Sequence, residues 1–340
     1  MIEGKLITAE PFTFEAGGKL GSIEIAYHTS APSYTPGSKV IWICHALTAN
    51  SDVEDWWPEM AGPGKVIDTD KYFVVCVNML TSAYGSSGPA STDPTTGRPY
   101  FLDFPKTTVR DMIAASILVR KHLGISSIDL LIGCSIGGFQ AIEWAIEEPD
   151  IIKNAMFMAT APRISPWLGA TAAAQRMAIE ADGTFKECRD LHGGEEGLKC
   201  ARAQALISYR CFKGYGISQH EDDVDCLFAG KSASYERYQG EKLIRRGFDA
   251  YSYYYLCNAL DSHNTGRGRG GVAAALGSIK AHTVAVCIDT DMIFPPEEFE
   301  AWAGLIPDVT KLEIHSDFGH DGFLIETKDI ENILKGQFHL

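Results

Sequence analysis

Three features of this sequence predict a doubly wound α/β fold: a mainly parallel sheet with helices on both faces and an inserted helical lid. Short apolar runs recur at residues 40–44, 73–77, 128–132 and 155–158, helix-patterned stretches alternate with them, and a long middle stretch loses the β runs altogether. In chain order, residues 22–28 alternate like a half-buried strand, while the four apolar runs read as strands covered on both faces. Residues 108–123 form a helix: Thr108 and Asp111 make a capping-box pattern, Val109, Met112, Ile113 and Ile117 give the apolar stripe, and Gly124 stops it. A second helix, 139–147, ends before Pro149. From about residue 165 to 280 the texture changes. Residues 170–181 and 197–211 are helix-like and no β run is clear, so a core of residues 1–165 and 281–340 carries a helical lid insertion at 166–280. Strand-like runs return at 283–288 and 309–315. Strands alternating with helices indicate a parallel sheet.

Composition excludes several function classes. The 340 residues carry 30 Lys and Arg against 44 Asp and Glu, a net charge of −14, which opposes binding to a phosphate backbone. No window approaches the roughly 18 apolar residues of a membrane span. The first twenty residues hold Glu3, Glu10 and Glu15 and lack the charged-then-apolar plan of a signal peptide. Nine cysteines, none in a C-x-x-C pair, read as small buried hydrophobes in a reduced cytoplasm. Histidine and cysteine spacings predict no metal site.

The chemistry centres on Gly133-Cys134-Ser135-Ile136-Gly137-Gly138. A buried strand precedes it and a helix follows, the arrangement of the nucleophile elbow in α/β-hydrolases. Glycines flank the serine because a side chain there would strike the sharply turning chain. The amide of Ile136, at the helix N-terminus, then faces the oxygen that becomes negative in acyl transfer. A second oxyanion donor is expected from the loop after residues 40–44, at the Leu47 amide. His45, in that loop, precedes the serine and reads as structural. A serine nucleophile requires a histidine base and a carboxylate, in the order Ser, Asp, His. His320, in the polar loop after residues 309–315, suits the base. The acid belongs after residues 283–288, where Asp289 and Asp291 stand nearly equal; Asp317 lies too close in sequence to His320.

Six segments then make a specific resemblance. Cys44-His45-Ala46-Leu47-Thr48, Tyr84-Gly85-Ser86-Ser87-Gly88-Pro89, the elbow continued through Phe139-Gln140-Ala141-Ile142-Glu143-Trp144-Ala145, Gly266-Arg267-Gly268-Arg269-Gly270, Asp291-Met292-Ile293-Phe294-Pro295-Pro296 and Gly319-His320-Asp321-Gly322-Phe323-Leu324 resemble the homoserine O-acetyltransferases. The match runs in the family's order from about residue 20 to the C-terminus. Ile136 stands where the family often has methionine and Ala83 where it often has cysteine; neither removes a catalytic group. The resemblance implies a triad of Ser135, Asp291 and His320, which separates Asp291 from Asp289. It further implies that Asp321 and an arginine of the insertion hold the amino-acid substrate. Arg202 fits the family's Gly-Leu-x-x-Ala-Arg pattern (residues 197–202). It also shares a helical stripe with Leu198, Ala205, Leu206 and Tyr209, where a guanidinium needs a partner such as a carboxylate. Arg176 and Arg210 are its competitors.

The activity so implied is ping-pong acyl transfer from acetyl-CoA, a co-substrate with no further cofactor, to L-homoserine through acyl-Ser135, in a cytoplasmic homodimer formed through the insertion. Succinyl-CoA as donor, serine as acceptor, and plain ester hydrolysis are the alternatives on the same triad. A local basic run of Arg237, Lys242, Arg245 and Arg246, with Arg267 and Arg269, offers attraction for the coenzyme's phosphates.

Overall fold

The computed structural model describes residues 1–228 and 230–340. Its frame is an eight-stranded sheet: β1 (Ile2–Ile7), β2 (Glu24–Thr29), β3 (Val40–Cys44), β4 (Phe73–Val77), β5 (Leu130–Cys134), β6 (Asn154–Met158), β7 (His282–Ile288) and β8 (Val309–Ile314). The spatial order is β1-β2-β4-β3-β5-β6-β7-β8. The first two pairings, β1 with β2 and β2 with β4, are antiparallel; all others are parallel. Every residue of β3, β4 and β5 is buried, because helices cover both faces and no side of these strands meets water.

Helices α1 (Val109–His122) and α2 (Ile136–Glu147) pack on one face. Thr108 and Asp111 do form the capping box, each side chain satisfying the other's amide at the start of α1. Trp42 of β3 meets Trp144 of α2 edge-on at 4.9 Å, deep in this layer. The opposite face buries residues such as Ile41, Ile132 and Val284 with Ile330 and Leu334 of the C-terminal helix (Thr327–Phe338).

The insertion is built on helices: α3 (Pro166–Ala181), α4 (Glu195–Tyr209), α5 (Phe212–Ser218), α6 (Lys231–Arg245) and α7 (Ala250–Asp261) are its main elements, and among the described residues 166–280 contribute no strand. Gly240 lets α6 approach α4 closely, since a Cβ there would lie within 3.0 Å of the Lys199 backbone. Helix α7 is buried on most sides, with Tyr251, Tyr253 and Tyr255 bonded to Phe185 O, Gln175 Oε1 and Phe104 O.

One expected strand shifts, and three elements go unread in the sequence. The strand expected at 128–132 runs Leu130–Cys134, so its last residue abuts Ser135. Strand β1 carries no readable signal because it is an exposed edge rich in charge. Its central Gly4 admits the ring of Tyr27, which a Cβ would strike at 2.4 Å. Helices α6 and α7 also go unread, α6 being mostly polar with only Gly240 and Leu243 buried, and α7 buried nearly all round.

Candidate active site

The functional side chains sit at the carboxyl ends of β3, β5, β7 and β8, where an open parallel sheet exposes its loops. Ser135 links β5 to α2 with φ 58° and ψ −128°, a strained backbone for a residue bearing a Cβ. The neighbouring glycines are required sterically. A Cβ on Gly133 would lie 2.2 Å from Gly137 O, and one on Gly137 would lie 2.0 Å from Cys44 O. The turn is therefore wedged between β3 and its own helix.

His320 lies 185 residues downstream, yet its Nε2 is 2.9 Å from Ser135 Oγ. Its Nδ1 is 2.7 Å from Asp291 Oδ2. The other oxygen, Asp291 Oδ1, accepts the amides of Ile293 at 2.7 Å and Phe294 at 3.0 Å, so the carboxylate cannot rotate freely. Both His320 and Asp291 are buried, and the rings of Phe294 and Phe323 flank the imidazole. Asp289 is occupied elsewhere, by His315 Nδ1 at 2.5 Å, and Asp317 by Lys213 at 2.6 Å. A second carboxyl that the sequence does not flag, Glu298, is pushed up to about 7 by burial and by the charge of Asp291.

Leu47 and Ile136 are buried beside Ser135, and among the described residues neither backbone amide donates a hydrogen bond. Two unsatisfied amides at a helix N-terminus and a facing loop are equipped to receive an anionic oxygen. His45 holds that loop. It is fully buried, its Nε2 accepts the Met79 amide at 3.2 Å, and its Nδ1 therefore donates to Ala46 O at 2.9 Å. Burial pushes its imidazole down to about 4 from 6.5, and that of His263, stacked on Phe139, to about 3. Folded His45 and His263 thus refuse protons that the unfolded chain accepts, so stability present at neutral pH is lost as pH falls below 6.5. By pH 5.5 the loss should reach about 1 kcal/mol per histidine. Urea midpoints at pH 7 and 5.5 measure it; equal midpoints would contradict the neutral, buried assignment.

A pocket of about 330 Å³ opens over the serine, lined by Leu47, Ser135, His320 and Asp321 from the core and by α4 and α6 of the insertion. The three candidate arginines differ sharply. Arg176 is bound to Asp261 at 2.6 Å and to Cys257 O. Arg210 is bound to Asp321 at 3.0 Å. Arg202 lines the pocket with its Nε and Nη1 buried and unpartnered among the described residues, its guanidinium 5.7 Å from the Tyr209 ring. Buried guanidinium donors without acceptors are costly, and a ligand carboxylate entering the pocket would give this guanidinium an acceptor.

The basic run divides. Lys242 and Arg246 line the pocket, Arg246 paired with Asp55 at 2.6 Å, whereas Arg237 and Arg245 do not reach it. Arg267 and Arg269 are corrected: they are held by Glu15, Glu143 and Glu147 beside α1 and α2, so they do not serve the pocket. Sequence reasoning also misses Trp56 and Gln239, which complete the wall from segments without a motif. Among the described residues no cluster of three or more His, Cys, Asp or Glu could hold a metal, and no helix is long and apolar enough to cross a membrane.

Residues 39–190 match the family model described as alpha/beta hydrolase fold. A homoserine O-acetyltransferase of Chlorobaculum parvum is 41% identical over 336 residues, covering 95% of this chain and 91% of that protein. The crystal structure of homoserine O-acetyltransferase from Bacillus anthracis superposes with a TM-score of 0.90 at 24% identity, over 100% of this chain and 98% of the other. Esterase E22 shares the fold as well, with a TM-score of 0.86 at 23% identity over 99% and 100% of the chains. Fold alone is thus common to transferases and hydrolases, but at 41% identity over nearly the whole length the chain belongs to the homoserine O-acetyltransferase family.

Proposed function

We propose that this enzyme transfers an acetyl group from acetyl-CoA to the side-chain hydroxyl of L-homoserine by a ping-pong route through acyl-Ser135. His320 Nε2 takes the Ser135 proton as Oγ attacks the thioester carbonyl; the Leu47 and Ile136 amides stabilise the oxyanion, and Asp291 stabilises the imidazolium. The carbon–sulfur bond breaks, and His320 returns the proton to the departing thiolate. Homoserine then enters with its carboxylate on Arg202 and its ammonium on Asp321. His320 deprotonates its hydroxyl, which attacks the acyl group; the acyl–Oγ bond breaks and His320 returns the proton to Ser135 Oγ.

The observation that most supports transfer over hydrolysis is the unpartnered Arg202 guanidinium in the same pocket as Ser135. A site for simple esters has no use for a buried cation, whereas an amino-acid acceptor supplies its carboxylate. Steady-state kinetics test the reading: acetyl-CoA and homoserine varied together should give parallel double-reciprocal lines, with weaker turnover for succinyl-CoA and for serine. Thiol release at equal rate without homoserine would make the enzyme a hydrolase.

A second copy is the partner we propose for the insertion. Phe212, Val224, Leu227 and Phe228 are each more than 80% exposed along one stretch of it, an apolar surface that favours association. Light scattering should give a dimer mass, and Leu227→Glu should shift it to the monomer; a monomeric wild type rejects the dimer.

A further inference from the structure

The insertion does more than roof the pocket: its α4–α5 joint is bonded to the loop that carries the histidine. Gly319, at φ +63°, lies so close that a Cβ would stand 2.9 Å from Tyr209 O and 3.1 Å from the Arg210 backbone. From the other side, a Cβ on Gly214 would stand 2.8 Å from Asp317 O. A glycine on each segment thus permits backbone-to-backbone packing. Cys211 Sγ donates to Asp317 O at 3.0 Å, and Lys213 reaches the Asp317 carboxylate at 2.6 Å. The hydrogen bond of this joint that touches a residue of the pocket is Arg210 Nε to Asp321 Oδ2, at 3.0 Å.

We propose that Arg210 is a positioning residue, through which the insertion fixes Asp321 in the orientation that receives the acceptor's ammonium. The proposal rests on the reading of Asp321 given above. A carboxylate offers lone pairs on both oxygens. Arg210 takes Oδ2, while Oδ1 has no partner among the described residues and is left for the ligand. The guanidinium is itself held, 5.0 Å from the ring of Tyr235, and both partners of the pair are less than 20% exposed. The opposing effect is neutralisation: a cation beside Asp321 weakens its attraction for a second cation. Tethering wins if orientation matters more than field strength, and the two effects move the acceptor KM in opposite directions.

The test separates the two half-reactions in Arg210→Met and Arg210→Lys. With acetyl-CoA alone, the burst of thiol reports acylation of Ser135, a step in which Asp321 takes no part. With homoserine varied, KM reports the acceptor site. Arg210→Met should leave the burst within about twofold and raise the homoserine KM about tenfold, the usual scale for losing a charge-assisted hydrogen bond. Arg210→Lys should recover part of that loss. Lys213→Met, which breaks the neighbouring contact to Asp317, should change neither readout. An unchanged or lowered homoserine KM overturns the proposal, as does a burst that falls in step with acceptor turnover. If Arg210→Met does not fold, Arg210→Lys decides alone: a raised KM with an intact burst supports the proposal, and an unchanged KM rejects it. Wild-type turnover that continues at the same rate without homoserine would overturn the acceptor reading itself, and the role of Arg210 with it.

Discussion

Ser135→Ala should abolish the acyl-enzyme and lower kcat by about five to six orders of magnitude, the scale seen when a triad nucleophile is removed. The geometry makes this a clean loss. Ser135 Oγ is the group His320 Nε2 faces, at 2.9 Å, and the remaining parts of the site, two amides and a buried imidazole, form no covalent bond. Mass spectrometry of protein quenched with acetyl-CoA alone should show one added acyl group on the wild type and none on the variant. The alanine enzyme should also fold normally, because alanine meets the φ 58° backbone with the same Cβ as serine. Ser135→Gly should instead gain stability, by about 1 kcal/mol, since glycine relieves the strain. An alanine variant of normal speed, or a wild type with no adduct, removes the ping-pong mechanism.

The elbow is readable because three local signals coincide in it: a buried strand, glycines placed where a Cβ would meet backbone at 2.0–2.2 Å, and an apolar helix. The parallel strands are readable for a related reason, since burial on both faces leaves an unbroken apolar run. The acid is not separable by position. Asp289 and Asp291 both follow β7, and what divides them is the local turn, in which Asp291 Oδ1 caps the Ile293 and Phe294 amides while Asp289 faces outward to His315. The resemblance to a family chooses Asp291 where periodicity cannot. Arg267 and Arg269 mark a different limit. Charge along the chain carries no address, and the carboxylates of Glu15, Glu143 and Glu147 that hold them are distant in sequence. The pairing of Arg210 with Asp321, 111 residues apart, is unreadable for the same reason.

Arg202→Met should separate stability from function. In the protein without ligand, Arg202 has two buried donors and no acceptor among the described residues, an arrangement that costs about 1–3 kcal/mol for each unsatisfied group. Methionine keeps the apolar stem and removes those donors, so the variant should melt a few degrees higher than the wild type. Acylation by acetyl-CoA should proceed at the wild-type rate, because His320, Asp291 and the two amides are untouched. The acceptor step should suffer instead. Two charge-assisted bonds to a carboxylate are lost together, which predicts a homoserine KM about a hundredfold higher. Arg202→Lys, which keeps the charge without the planar fork, should fall between the two. Melting curves and the two half-reactions measured on one preparation decide the matter. A lower melting temperature with an unchanged homoserine KM would show that Arg202 is a structural cation. The acceptor's carboxylate would then need another anchor, and Lys242 or Arg246, the remaining cations lining the pocket, are where to look.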